Sequence, residues 1–159
     1  MSEFTHIDKQ GRVRMVDITE KEPTLRVAVA QGIVSMNPDT FDKIMNQTVQ
    51  KGNVLETARI AGIMAAKKTS ELIPMCHPLN IKHIAIDFFP DKSKSTIKIE
   101  GAVRIIDQTG VEMEALTAVS IAGLTIYDMC KSYDRKITIS DICLIEKSGG
   151  KSGVFKRKE

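Results

Sequence analysis

The sequence predicts an α+β fold, a ferredoxin-like α/β sandwich with helices packed on one face of a largely antiparallel sheet. Stretches with apolar residues at helical spacing are interspersed with stretches rich in β-branched residues, in the order β, α, α, β, β, α, β. Two of the strands, residues 81–89 and 95–106, are joined by a short polar turn, which favours an antiparallel hairpin. A chain of 159 residues is long enough for one domain with its own core.

The first half of the chain predicts one strand and two helices. Residues 24–34 (TLRVAVAQGIV) are rich in β-formers and predict the first strand. Asn37 followed by Pro38 supplies an N-cap and a proline at the first helical position, so a helix is expected from there to about Lys51. Residues 54–73 repeat apolar residues at helical spacing, with small residues that allow close packing, and predict a second, well-buried helix.

The second half begins with the hairpin and continues with a long helix and a last strand. In residues 95–106 the side chains alternate, and the apolar face consists of Ile97, Ile99, Gly101, Val103 and Ile105. Residues 111–134 predict the third helix because they are apolar at helical spacing. Residues 135–147 predict the last strand, with a bulge at Ser140 and Asp141.

The chain is expected to form a single domain over residues 24–147. Residues 1–23 are polar and predict a mobile N-terminal arm, and residues 148–159 predict a flexible tail rich in glycine and lysine. The tail contains GGKSG, which is similar to the end of a phosphate-binding P-loop. The complete motif requires glycine at a position occupied by Ile145, so a P-loop is rejected and only a basic, glycine-rich segment near phosphate is expected.

Composition excludes several classes of function. The net charge of +3 and the lack of tryptophan argue against a duplex-binding surface and against stacking on nucleic-acid bases. The three cysteines form no C-x-x-C pair, so we expect no disulfide framework, no metal site and a reducing, cytoplasmic location. No signal pattern begins the chain, and the apolar stretch ARIAGIMAA ends in Lys67 and Lys68, so no contact with a membrane is expected.

One short segment, SELIPMCHPLN, attracts attention because two prolines bracket reactive side chains. Pro74 and Pro78 restrict their own φ angles and favour an extended shape in the residues before them. Met75, Cys76 and His77 are therefore predicted to lie in a stiff, extended stretch. That stretch is either a rigid linker or a segment that presents a ring and a thiol to a ligand.

The two ends of the predicted third helix carry further candidates. Glu112, Met113 and Glu114 open it, and acids there suit the helix dipole or could bind a guanine-like edge or a cation. Asp128 and Lys131 share a face near the other end, either as a surface ion pair or as an acid–base couple.

Lys51 and Lys147 have ordinary interpretations, as a helix C-terminal charge and as a solvated lysine. The residues alone therefore predict a cytoplasmic α+β domain with a pocket for an anionic ligand.

Longer strings carry a resemblance to a known family. They are MVDIT with Lys21, Thr24 and Arg26, KGNVLETARIAGIMAAKKTSELIPMCHPL (51–79), TGVEMEALTAVSIAGLTIYDMCK (109–131) and KSGGKSG (147–153). Together they resemble the cyclic pyranopterin monophosphate synthase (MoaC-type) family of molybdenum cofactor biosynthesis over nearly the whole chain. Residues 135–137 (RKI) depart from the more usual Lys-x-Met.

The resemblance implies a lyase that converts 3′,8-cyclo-7,8-dihydro-GTP to cyclic pyranopterin monophosphate and releases diphosphate. It implies no redox cofactor, although Mg²⁺ can accompany the triphosphate, and a cytoplasmic homohexamer built as a trimer of dimers. The alternative is a non-catalytic nucleotide-binding or assembly module of the same fold. Loss of Asp128, Lys51 or Lys131 would favour that alternative, and all three are present.

The resemblance also implies roles for individual residues. Asp128 is implied as the general acid or base, with Lys51 and Lys131 as proton donors or charge stabilisers. The implied substrate-binding residues are Met75, Cys76, His77, Glu112, Met113 and Glu114, with Lys147, Arg26 and Arg104 expected to hold the triphosphate.

Helix geometry predicts that two chains share one site. Glu114 and Asp128 lie fourteen residues apart on one predicted helix, roughly 21 Å along its axis, yet point nearly the same way. One small substrate cannot easily touch both residues of one chain. We expect an antiparallel second copy, with close approach of the helices through Ala115, Ala118, Ala122 and Gly123.

Overall fold

The computed structural model describes residues 10–151 and 153–158, and they form the α+β sandwich that the sequence predicts. The described elements are β1 (Thr24–Ser35), α1 (Pro38–Met45), α2 (Val54–Lys67), α3 (Thr69–Leu72), β2 (His83–Asp91), β3 (Thr96–Asp107), α4 (Glu112–Cys130), β4 (Thr138–Ser148) and β5 (Phe155–Lys156). The sheet has the order β2-β3-β1-β4-β5, and every neighbouring pair is antiparallel.

One face of the sheet forms the core with the helices. The predicted apolar face of β3 is confirmed, because its five alternate residues from Ile97 to Ile105 are all buried. On β1, Ala28, Ala30 and Val34 are fully buried on the same face. The opposite face carries the other set of alternating residues, most of them only partly buried.

Helices α2 and α4 pack side by side on this face, with α4 across β1, β3 and β4. Gly62 allows the close approach, since a Cβ there would lie 2.8 Å from the carbonyl oxygen of Ala118. Within the described part of the chain, α4 is the one helix whose length and composition would suit a membrane span. More than half of it is buried inside the chain, which is typical of a core helix.

The end of α1 differs from the prediction. The helix was expected to reach about Lys51, but it ends at Met45. The amide of Thr48 donates to the carbonyl of Lys43 at 2.9 Å, and Gln47 adopts a φ of 55°, so the two complete a Schellman cap. Lys51 is therefore a loop residue and not a charge at the end of a helix.

The predicted second helix is divided, because it breaks at Lys68 into α2 and the single turn α3. The stretch after it is also less extended than predicted. The amide of Cys76 donates to the carbonyl of Ile73 at 3.1 Å, which closes a turn with Pro74 at its second position.

The last strand contains the predicted irregularity. Its pairing with β1 shifts register between Ser140 and Cys143 and again between Leu144 and Glu146, and Asp141 adopts a φ of 52°, so the bulge is confirmed. The tail contains a short strand that the sequence analysis did not predict, β5, which pairs with Glu146 and Lys147 of β4. The predicted mobility of the arm and of the tail stays a prediction, and residues 1–9 of the arm lie outside the described residues.

Candidate functional site

A cavity of about 320 Å³ lies at the N-terminal end of α4, and we call it the inner cavity. It brings together the six residues near Cys76 and at the start of α4 for which a substrate-binding role was implied, but not Arg104. Its walls are formed by Val16, Ile18, Lys21, Met75, Cys76, His77, Leu79, Thr109, Gly110, Glu112, Met113 and Glu114. Five of these side chains are apolar, and an imidazole, a thiol, an ammonium group and two carboxyls lie among them, a mixture that is typical of a small-molecule site.

The N-terminal segment forms one wall of the inner cavity. Nε2 of His77 lies 2.9 Å from the carbonyl oxygen of Val16. Because a carbonyl only accepts, this contact requires a proton on Nε2 of His77. In the neutral ring Nδ1 is then an acceptor, and the segment sets the tautomer of a site residue.

Burial controls the proton chemistry of the inner cavity. Glu114 is only 3% exposed, and this burial raises the pKa of its carboxyl from 4.5 to about 7. Burial also raises the pKa of the Cys76 thiol, and the nearby Glu114 carboxylate adds to the effect. Cys76 is therefore a protonated thiol at neutral pH and a poor nucleophile, whereas Glu114 can gain or lose a proton there.

A second cavity of about 730 Å³ adjoins the first, and we call it the basic cavity. Its cationic side chains are those of Lys21, Arg26, Lys147 and Lys151. Lys21, Thr109, Gly110 and Glu112 line both cavities, so the two are contiguous. The arrangement joins a chamber with five apolar side chains to one that has four cationic side chains and three carboxyls, those of Glu20, Glu22 and Glu112.

Two of the basic side chains are held in defined positions. Arg26 donates from Nε to the carbonyl of Asp107 at 3.3 Å and from Nη2 to the carbonyl of Gln108 at 3.1 Å. Nζ of Lys147 lies 2.9 Å from Oε1 of Glu112, and both side chains are largely buried. A guanidinium and an ammonium thus face the same space, as phosphate binding requires.

A third group lies at the other end of α4 and comprises Lys51, Asp128 and Lys131, which we call the acid–lysine cluster. Asp128 accepts from Nζ of Lys131 at 2.7 Å and from Nζ of Lys51 at 3.0 Å. The hydrogen bond from Lys131 and then that from Lys51 lower the pKa of Asp128, and the pKa of Lys131 is raised in return. The cluster therefore holds a carboxylate between two ammonium groups, on an exposed surface.

The cluster and the inner cavity do not meet within one chain. Glu114 and Asp128 lie fourteen residues apart on the continuous helix α4, which separates them by roughly 21 Å along the axis. The pairing of Arg104 with Val27 places Arg104 on the opposite sheet face from Arg26, which pairs with the buried Ile105. Arg104 is exposed and lines neither the inner nor the basic cavity.

The small residues of α4 serve a different purpose from the one expected. Ala115, Ala118, Ala122 and Gly123 are all buried against the chain's own core, with Gly123 facing Ile139 of β4. The expectation that they allow a second copy to approach is therefore wrong. The outer surface of α4 carries Leu124 instead, which is 54% exposed.

Sequence reasoning did not select several residues that line the two cavities. Lys21 lies within a string that carries the resemblance, and Lys151 lies within the basic, glycine-rich segment that was expected near phosphate, but neither was named as a site residue. Val16 contributes a main-chain carbonyl, and main-chain atoms leave no mark in the sequence. Within residues 10–151 and 153–158, no group of three or more His, Cys, Asp or Glu side chains could hold a metal ion.

The fold is an α+β sandwich with two adjoining cavities, and four cationic side chains line the larger one. Residues 15–150 match the model of the MoaC family, and the chain belongs to that family. A relative in Desulforapulum autotrophicum is 62% identical over 98% of this chain and 95% of its own length. Relatives in Desulfatibacillum aliphaticivorans (61% identical, 98% of each chain) and Clostridium acetobutylicum (54% identical, 99% and 98%) carry the same name, cyclic pyranopterin monophosphate synthase.

Proposed function

We propose that this chain converts 3′,8-cyclo-7,8-dihydro-GTP to cyclic pyranopterin monophosphate and releases diphosphate, as a lyase of molybdenum cofactor biosynthesis. The observation that carries this proposal is that the inner and basic cavities lie side by side and share four lining residues. They offer an apolar chamber for a ring system beside a basic one for a triphosphate. The names of the relatives support the same activity.

The inner cavity would take the heterocycle. Met75 and Met113 supply apolar surface, and Cys76 supplies a neutral thiol. The carboxyl of Glu114 exchanges its proton near neutral pH, so it can accept from ring N–H groups when ionised or donate to a ring acceptor when protonated. His77, with its proton held at Nε2 by Val16, presents Nδ1 as an acceptor.

The basic cavity would take the triphosphate. Arg26 and Lys147 are its anchored cations, and Lys21 stands where the two cavities meet. Lys147 would exchange its pairing with Glu112 for a phosphate oxygen, which is a stronger acceptor of charge-assisted hydrogen bonds. The rearrangement is redox-neutral and needs no redox cofactor, and any Mg²⁺ would enter with the triphosphate as part of the substrate.

The acid–lysine cluster would move protons. Asp128 is a carboxylate at neutral pH, and hydrogen bonds from the ammonium groups of Lys131 and Lys51 lower its pKa further; the carboxylate can act as a base and return the proton as an acid. Lys51 and Lys131 can stabilise negative charge that develops on the substrate or donate a proton to it. These steps require the cluster to reach the substrate.

The separation along α4 implies that the cluster acts on a substrate held by another copy. We infer a cytoplasmic homohexamer, a trimer of dimers, in which the cluster of one chain faces the inner cavity of its neighbour. Arg104, which lies away from both cavities of its own chain, would reach a triphosphate only in such an assembly.

Turnover of the purified substrate tests the function. The protein is incubated with 3′,8-cyclo-7,8-dihydro-GTP, and the pterin is detected by its fluorescence after oxidation while released diphosphate is counted. The proposal requires one diphosphate for each pterin. Binding of the substrate without either product, in a folded and correctly assembled protein, would support the non-catalytic nucleotide-binding module instead.

A further inference from the structure

Gly149 and Gly150, in the turn after β4, lie against the side chain of Arg26 in the wall of the basic cavity. Both adopt positive φ angles, 98° and 70°. A Cβ at position 150 would lie 2.6 Å from Cζ of Arg26 and closer still to its Nη1. The guanidinium therefore occupies the space that any side chain at position 150 would need.

The hydrogen bonds of Arg26 define which end of its guanidinium is fixed. Nε and Nη2 donate to the carbonyls of Asp107 and Gln108. No described residue accepts a hydrogen bond from Nη1, the end that lies over Gly150. A guanidinium has five N–H donors, and the two on Nη1 therefore have no acceptor among the described residues.

We propose that Gly150 is a positioning residue for Arg26. Because Gly150 has no side chain, Nη1 of Arg26 has the space to donate to the anionic end of the substrate. This inference rests on the proposed function of the basic cavity. The guanidinium is the far end of the flexible Arg26 side chain, so an alanine at position 150 would displace it and leave the sheet in place. Position 149 is different, because a Cβ there would meet the main-chain oxygen of Leu25.

The chain offers a matched control at Gly153. Its φ of 68° is nearly that of Gly150, and nothing lies within 4 Å of the position of its Cβ. Gly150→Ala and Gly153→Ala therefore place alanine at nearly the same positive φ, and only the first displaces Arg26. A comparison of the two separates the positioning role from the cost of alanine at a positive φ.

Calorimetric titration with inorganic diphosphate tests the proposal on the full-length protein. Loss of a charge-assisted hydrogen bond is expected to weaken binding about tenfold in Gly150→Ala relative to Gly153→Ala. In an Arg26→Ala background, Gly150→Ala should bring no further loss. In turnover, Gly150→Ala should raise KM and leave kcat nearly unchanged, since the diphosphate contacts act in binding.

Three binding results would overturn the proposal: equal diphosphate affinities for the two alanine variants, the same loss of affinity from Gly150→Ala when Arg26 is absent, or no measurable binding of diphosphate by the unaltered protein. Failure of the proposed function gives a different pattern. If the protein binds diphosphate with the expected dependence on Gly150 but forms no pterin, the positioning role is supported and the proposed synthase activity is refuted. If Arg26→Ala turns over normally, Arg26 has no role in substrate binding and this proposal is refuted, whereas the proposed synthase activity is supported.

Discussion

Mixing two inactive variants should restore activity if each site is built from two chains. Glu114→Gln damages the inner cavity, and Asp128→Asn damages the acid–lysine cluster roughly 21 Å away on the same helix. In a mixed pair related by a two-fold axis, one of the two sites combines the intact Glu114 of one chain with the intact Asp128 of the other. The second site of that pair contains both substitutions and stays inactive.

The expected recovery follows from random assortment. At equal amounts, about half of the pairs are mixed and about half of their sites are intact, so activity should reach about 25% of that of the unaltered protein. Pterin formation is measured after subunit exchange, which is followed by mass spectrometry of the intact assembly. Each variant alone should show little turnover.

A control pair places both substitutions in the same half of the site. Asp128→Asn mixed with Lys131→Ala should recover nothing, because every shared site then lacks one member of the cluster. No recovery in the first mixture, despite proven exchange, would mean that each chain completes its site alone. Equal recovery in both mixtures would refute the division into inner cavity and cluster.

Three further predictions concern single residues. Asp128→Asn should lower kcat about 10²- to 10⁴-fold with an unchanged unfolding temperature, because a general acid or base contributes that much to rate, and the side chain is exposed; near-normal turnover by the folded variant would refute the assignment. His77→Ala should reduce kcat/KM more than stability, whereas a purely structural His77 would shift the unfolding temperature by several degrees with activity per folded molecule unchanged. Glu114→Gln should become more stable relative to the unaltered protein as pH rises from 4.5 to 8. The shift of the Glu114 pKa from 4.5 to about 7 means that between these two pH values the unfolded chain releases this proton while the folded chain keeps it, a cost of roughly 3 kcal/mol that glutamine avoids. Urea unfolding at both pH values measures the difference in unfolding free energy between Glu114→Gln and the unaltered protein. If that difference does not change with pH, Glu114 is not a buried, unpaired carboxyl.

The elements could be predicted where local chemistry determines them. The alternation from Ile97 to Ile105 requires a strand with one buried face, and Asn37 with Pro38 begins a helix at the observed position. The end of α1 was missed because its cap depends on Gln47 in a left-handed conformation. No residue there carries the usual glycine signal for such a cap.

The site was harder to predict because it depends on register and on which way a helix faces. Arg26 and Arg104 are equally suited to bind phosphate, and only the pairing of β1 with β3 shows that they lie on opposite faces. Similarly, Ala118 and Ala122 indicate a closely packed helix face, but their spacing cannot show whether the neighbour is α2 or another chain.

The anchoring of Arg26 by carbonyls has a consequence for the approach of ligands. A carbonyl accepts a hydrogen bond without cancelling the charge of the donor, whereas a carboxylate would neutralise it. Arg26 therefore keeps its full unit of charge inside a concave wall that focuses its field outwards into solvent. An incoming polyanion is attracted before any contact forms, so its association rate should depend strongly on ionic strength, and dilute buffers should favour capture.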